Sequence, residues 1–118
     1  MHAVIFHNPR CSTSRNALAL LREAGIEPQV VEYLQTPPTR ERLAGLIAAA
    51  GLEVRDATRD KEAVYAELGL DDPMLDDTAL LDAMVREPIL IQRPFVETAL
   101  GTRLARPLER VHEILPAQ

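Results

Sequence analysis

The sequence predicts an α/β fold with a mixed sheet, and three observations predict it. The chain opens strand–helix–strand, continues through a run of acidic helical segments, and returns to short strands before a last helix. A crossover of that length sets the first two strands parallel. The size agrees. With 118 residues, 47% apolar and 26% charged, the chain fits one domain and has enough apolar material for one core, which argues against disorder.

Residues 3–7, Ala-Val-Ile-Phe-His, read as a short buried strand that Asn8-Pro9 breaks. Ser12 or Thr13 then caps a helix with Ala17, Leu18, Leu20, Leu21 and Ala24 on its apolar face, and Gly25 takes the C′ position. Residues 29–33, with β-branched Val30 and Val31, form the second strand. Pro37-Pro38 precede a helix capped by Thr39, with Leu43, Leu46, Ile47 and Ala50 inward and Gly51 closing it. Val64, Tyr65 and Leu68 mark a further helix ended by Gly69. Another starts at Asp77-Thr78 and turns Leu80, Leu81, Met84 and Val85 inward. Pro88 ends this block. Residues 89–91 read as a strand, 95–97 as another, and Gly101 turns the chain into 102–104. Pro107 stands at N1 of a final helix with Leu108, Val111 and Leu115 inward. The helical block at about 38–87 is too small to stand alone, so residues 1–118 are expected to be a single domain with a helical insertion.

The net charge of −5 is unevenly spread. Residues 1–22 hold Arg10, Arg15 and Arg22 and no acid, whereas residues 53–87 hold 11 acids against 4 bases. Residues 88–110 are basic again, through Arg93, Arg103, Arg106 and Arg110. Ends of like sign that meet in space build a local anion site inside an acidic protein. Twelve of the 13 bases are arginine, and Lys61 is the only lysine. No Lys-rich basic tail is present, so no nucleic-acid partner is expected. No apolar run approaches bilayer length and no signal-peptide pattern is visible, so no membrane association is expected. The expected setting is the cytoplasm, where a lone thiol stays reduced, and the expected state is a monomer.

Cys11 is the only cysteine, which excludes an internal disulfide and a Cys-rich zinc site. The histidines at 2, 7 and 112 lack ligand spacing, so no metal is expected. A lone cysteine is most often a small buried hydrophobe among apolar neighbours. Cys11 has others: it lies in His7-Asn8-Pro9-Arg10-Cys11-Ser12-Thr13-Ser14-Arg15-Asn16, between a strand and the start of a helix. Unpaired amides and the helix dipole favour negative charge there, and Arg10 and Arg15 add fixed positive charge, with His7 a further source. A thiol so placed has a depressed pKa and reacts as thiolate. The amides and the hydroxyls of Ser12, Thr13 and Ser14 can cradle an oxyanion beside the sulfur. Ser14 occupies the place where a second cysteine would make a C-x-x-C switch.

These residues resemble the active-site signature of the glutaredoxin-dependent arsenate reductases. The likeness continues through Tyr33-Leu34 with Pro37-Pro38, Val54-Arg55 with Arg59, Pro88-Ile89-Leu90-Ile91 with Arg93-Pro94, and Gly101-Thr102-Arg103-Leu104 with Arg106-Pro107. The resemblance implies a thioredoxin-like fold and makes Cys11 the nucleophile that forms an adduct with arsenate. It makes His7 the residue favouring the thiolate, and Arg59, Arg93 and Arg106 the oxyanion ligands. Asn8, Ser12, Thr13, Ser14 and Arg15 form the supporting loop, and Pro94 matches the segment where thioredoxin-like folds carry a cis proline. It also implies glutathione as co-substrate and glutaredoxin as partner, with no bound cofactor.

The chemistry of the residues is compatible with that reading, because arginine binds tetrahedral oxyanions through a planar fork. A single cysteine cannot complete a two-electron reduction by internal disulfide formation, so an outside thiol must enter. Ser12 stands where these reductases commonly carry Gly. That departure leaves open a thiol oxidoreductase of the same fold with another substrate. A regulator that binds RNA polymerase and senses oxidation through C-x-x-C is a further alternative, against which Ser14 argues.

Overall fold

The computed structural model describes residues 1–116. The chain folds into two compact units: Met1–Thr36 together with the chain from Arg93 onward, and Pro37–Gln92.

The first unit holds a four-stranded sheet in the order β2-β1-β3-β4, with β1 at Ala3–His7, β2 at Gln29–Glu32, β3 at Phe95–Thr98 and β4 at Gly101–Leu104. β1 runs parallel to β2, His7 opposite Glu32, and antiparallel to β3, Phe6 opposite Phe95. β3 and β4 pair antiparallel, Thr98 opposite Gly101. This is the mixed sheet of a thioredoxin-like fold. β1 is central and buried at every position, whereas β2 is an edge strand and mostly exposed. Helix α1, Ser12–Glu23, packs Ala17 and Leu21 onto Ala3 and Ile5 of β1 and Val96 of β3, and Val111 and Ile114 complete this core. Gly101 lies at φ +146°, and a side chain there would press on Ile114 at 3.3 Å, so the β3–β4 turn requires glycine.

The second unit is helical. Helix α2, Arg40–Ala49, and helix α4, Asp77–Arg86, pack on each other, while α3, Ala63–Glu67, is short. The apolar face of α2 buries Leu43, Leu46 and Ile47, and that of α4 buries Leu80, Leu81, Ala83 and Met84. Both begin with a side-chain cap: Thr39 accepts from the Arg42 N–H at 3.1 Å and Asp76 from the Ala79 N–H at 2.9 Å. Arg55 fastens the turn after α3, donating to the carbonyl oxygens of Leu70 at 2.8 Å and Asp72 at 3.0 Å and to the Tyr65 hydroxyl at 3.2 Å.

Several expectations change in detail. Residues 89–91 do not form a strand. Pro88–Leu90 is a 3₁₀ turn, closed by hydrogen bonds from Leu90 to Glu87 and from Ile91 to Pro88, and only Ile91 makes a β-bridge, to Thr58. Proline supplies φ suited to that turn and no N–H for a ladder. The last helix, Leu108–Ile114, is 3₁₀ throughout, with Pro107 at its cap rather than at N1. Its three-residue repeat stacks Val111 above Ile114 on the buried side. The cap of α1 is Cys11, not Ser12 or Thr13, and that of α4 is Asp76, one residue before the expected start. β2 ends at Glu32, one residue early. Val85 is only partly buried, because Ala83 takes the inward place.

Candidate active site

The site grows from the turn that joins β1 to α1. Asn8 organises it: its carbonyl accepts from the Cys11 N–H at 3.0 Å and its side-chain oxygen from the Arg10 N–H at 3.0 Å. The Arg15 guanidinium ties the same turn by donating to the Pro9 carbonyl at 2.8 Å. Cys11 thereby becomes the N-cap, its carbonyl accepting the first helical bond from the Arg15 N–H at 3.0 Å. Its side chain makes no full capping bond, though the Ser14 N–H is aimed at the sulfur, and the amides of Ser12 and Thr13 keep their donors for another acceptor. The thiol is partly exposed at this open helix start.

The sulfur has three electropositive neighbours. Burial pushes its pKa up, but the Ser14 backbone N–H, a hydrogen bond from Arg93, and the charges of Arg106 and Arg93 outweigh burial and hold it below the ordinary thiol range. An Arg106 Nη lies 3.6 Å from Sγ. The Nε of the same guanidinium donates to the Arg93 carbonyl at 2.7 Å, which joins the two arginine-bearing segments on either side of the β3–β4 hairpin. The Arg93–Pro94 and Arg106–Pro107 peptide bonds are both cis. Only the first of these positions was marked by the sequence.

His7 and Ser14 lie beneath the loop, 6% and 0% exposed. A ring nitrogen of His7, Nδ1, is 2.6 Å from the Ser14 hydroxyl, which also accepts from the Asn8 N–H at 3.0 Å. Burial holds the His7 pKa below its usual value; Glu32 opposes this, and Arg22 and Arg15 add to it. The ring is therefore neutral at pH 7 and contributes a hydrogen bond rather than the positive charge expected of it. The Ser14 hydroxyl holds the turn that points its own N–H at the sulfur. Sequence reading placed Ser14 in the supporting loop but missed this linkage. The signal was available in the seven-residue spacing from His7 to Ser14 across a strand–turn–helix.

The structure thus brings together Cys11, Ser14, Arg93 and Arg106, supported by His7, Asn8 and Arg15. Ser12 is exposed and Thr13 partly buried in the first turn of α1. Arg59 belongs to the second unit, where its Nε pairs with Glu62 at 3.1 Å and its Nη1 reaches Gln92 at 3.4 Å. Among the described residues, no group of three or more His, Cys, Asp or Glu could hold a metal, and no helix is long and apolar enough to cross a membrane. A thiolate beside two guanidinium groups and a row of helix-start amides can attack a tetrahedral oxyanion and stabilise the adduct.

The model of the ArsC family matches residues 6–114, nearly the whole described chain. The chain belongs to the ArsC family. Its relatives within the family include an arsenate reductase of Rhizobium meliloti, 61% identical over 116 residues, covering 98% of this chain and 83% of that one. An arsenate reductase of Escherichia coli strain K12 is 53% identical over 112 residues, covering 95% of this chain and 79% of that protein. The solved structure of an arsenate reductase from Vibrio cholerae superposes with a TM-score of 0.93 at 51% identity and covers 98% of each chain. Membership of the ArsC family agrees with the expected fold and with the block order read from the sequence.

Proposed function

We propose that this protein is an arsenate reductase that uses Cys11 as nucleophile. The observation that carries the reading is the Cys11 thiol held below the ordinary thiol range by the Ser14 N–H, Arg93 and Arg106, with no second cysteine in the chain. The names of the relatives support the same substrate. The Cys11 thiolate attacks arsenic in protonated arsenate, an S–As bond forms, and hydroxide leaves as water after taking a proton. Arg93 and Arg106 stabilise the anionic adduct, and Arg59 is the third oxyanion ligand. Glutathione thiolate then attacks Sγ. The S–As electron pair stays on arsenic, which leaves as arsenite, and Cys11 is left in a mixed disulfide. Glutaredoxin thiolate takes up the glutathione and frees Cys11. His7 and Ser14 hold the turn, and Asn8, Ser12, Thr13 and Arg15 shape it.

Residues 1–118 act in this reading as one domain with the helical segment inserted at about 38–87, working as a monomer in the cytoplasm. The compactness of Pro37–Gln92 by itself supports the insertion. The deciding experiment measures arsenite formed from arsenate with glutathione and glutaredoxin. Wild type is expected to turn over and Cys11→Ser to be inactive; equal rates would overturn the proposal.

A further inference from the structure

The loop that carries Cys11 also forms one wall of a cleft whose charges the reaction just described leaves unused. The cleft has a volume of about 200 Å³ and is lined by His7, Asn8, Pro9, Arg10, Glu32, Leu34 and Gln35. Arg10 directly precedes the nucleophile, and Glu32 stands opposite His7 at the end of the β1–β2 pair.

Several other charges of this unit are paired. Arg22 is bound to Glu27 at 3.1 Å, Arg103 to Glu113 at 2.8 Å, and Arg15 to the Pro9 carbonyl at 2.8 Å. Among the described residues, neither the Arg10 guanidinium nor the Glu32 carboxylate makes a hydrogen bond or ion pair. They line one cleft without pairing with each other. An unpaired cation and an unpaired anion in one cleft complement a zwitterion, whose carboxylate meets the guanidinium and whose ammonium meets the carboxylate. Leu34 gives the cleft an apolar wall and Gln35 an amide. The volume is below the roughly 300–1,000 Å³ of pockets for drug-sized ligands, and suits one amino-acid-sized group rather than a whole tripeptide.

We propose that the cleft formed by Arg10, Glu32, Leu34 and Gln35 recognises the α-amino-acid end of the small thiol co-substrate. The inference rests on the reading that an outside thiol such as glutathione enters the reaction. That end of glutathione carries both charges on one carbon, whereas its glycine end carries only a carboxylate. The cleft therefore selects which end of the thiol docks beside the loop that bears Cys11.

The test needs no arsenate. The protein is reacted separately with glutathione disulfide and with 2-hydroxyethyl disulfide. In each reaction the Cys11 thiolate attacks one sulfur, a mixed disulfide forms on Cys11, and one small thiolate departs. The ratio of the two rates cancels any change in the thiolate fraction of Cys11, and N-acetylcysteine run in parallel gives the ratio for an unassisted thiol. Wild type is expected to exceed that reference ratio, and Arg10→Gln and Glu32→Gln are each expected to lower the wild-type ratio at least tenfold. A wild-type ratio equal to the reference, or variants that leave it unchanged, would overturn the proposal. In the arsenate assay the same variants raise the KM for glutathione and not that for arsenate. A wild type that makes no arsenite yet keeps its disulfide preference would sink the arsenate reading and leave the cleft standing.

Discussion

Two helix starts in this molecule are built in opposite ways. In the second unit α2 and α4 open on Thr39 and Asp76, whose side chains satisfy an amide of the first turn. In the first unit α1 opens on Cys11, whose sulfur draws the Ser14 N–H but makes no full capping bond. The arginines divide similarly. Arg55 serves backbone carbonyls around the turn after α3, whereas Arg93 and Arg106 lie beside a sulfur. The acidic unit uses its polar groups to close its own ends. The unit that bears the thiol leaves donors open, and an open donor is what an anion requires.

The largest effect expected from this contrast is on turnover. Arg93→Ala and Arg106→Ala should each lower arsenate reduction by about 10²–10³-fold, the usual loss when one donor to a developing oxyanion is removed. Both should also raise the pH midpoint of Cys11 alkylation by iodoacetamide. The sign follows from the charges, since each guanidinium favours the thiolate and its loss favours the thiol. A midpoint that stays put in both variants would break the contrast.

Arg55→Ala should act on stability alone. Two backbone carbonyls and a tyrosine hydroxyl lose a charged donor, at a cost of about 1–3 kcal/mol in urea unfolding. The alkylation midpoint should not move. A variant of normal stability with an altered thiol would show that the two sets of arginines are not distinct in purpose.

Capping gives a smaller effect of opposite sign in the two places. Thr39→Ala and Asp76→Ala should each cost about 1 kcal/mol. Cys11→Ser should instead gain a few tenths of a kcal/mol to about 1 kcal/mol, because serine is a preferred N-cap, while abolishing turnover. Thermal unfolding of the three variants side by side checks this. A loss of stability in Cys11→Ser would mean that the thiolate itself, rather than an absent cap, holds the start of α1.

The smallest effect expected is the pH dependence that His7 brings. Its folded pKa lies below the usual value of about 6.5, so the unfolded chain binds its proton first on acidification. Its contribution to stability is present above about pH 6.5 and falls as the pH drops from there toward the folded pKa. His7→Gln should flatten the stability profile in that window, and an unchanged slope would count against a neutral buried ring.

Much of this was legible in the chain because the deciding signals are local. Asn8-Pro9 ends a strand, the apolar face from Ala17 to Leu21 begins soon after, and a cysteine between them must sit at a helix start. Thr39 marks its helix start through its hydroxyl, and Gly25 and Gly51 mark their helix ends through a positive φ. Arg106 is another matter. It lies 95 residues from Cys11, no spacing rule spans that distance, and only the resemblance to a family selected it and Arg93 from twelve arginines. The misread segment at 89–91 failed for a related reason. A short apolar run suits a strand or a turn equally, and the outcome was decided by Pro88 and by a bridge to Thr58, far back in the chain. The state of the His7 ring was not legible in the sequence because burial, which a sequence does not display, outweighs the favourable acid beside it.

The Ser14 hydroxyl has a consequence for anyone who wishes to make the molecule independent of outside thiols. Creating a C-x-x-C pair by Ser14→Cys is the shortest route to a self-contained redox centre. Yet that oxygen is the shared acceptor and partner of the Asn8 N–H and the His7 ring. A sulfur is larger and a weaker hydrogen-bonding atom, so the substitution would loosen the turn that aims the Ser14 amide at Cys11. The second thiol would arrive at the expense of the first one's acidity. An autonomous variant needs its resolving cysteine elsewhere on the rim, with Ser14 left in place.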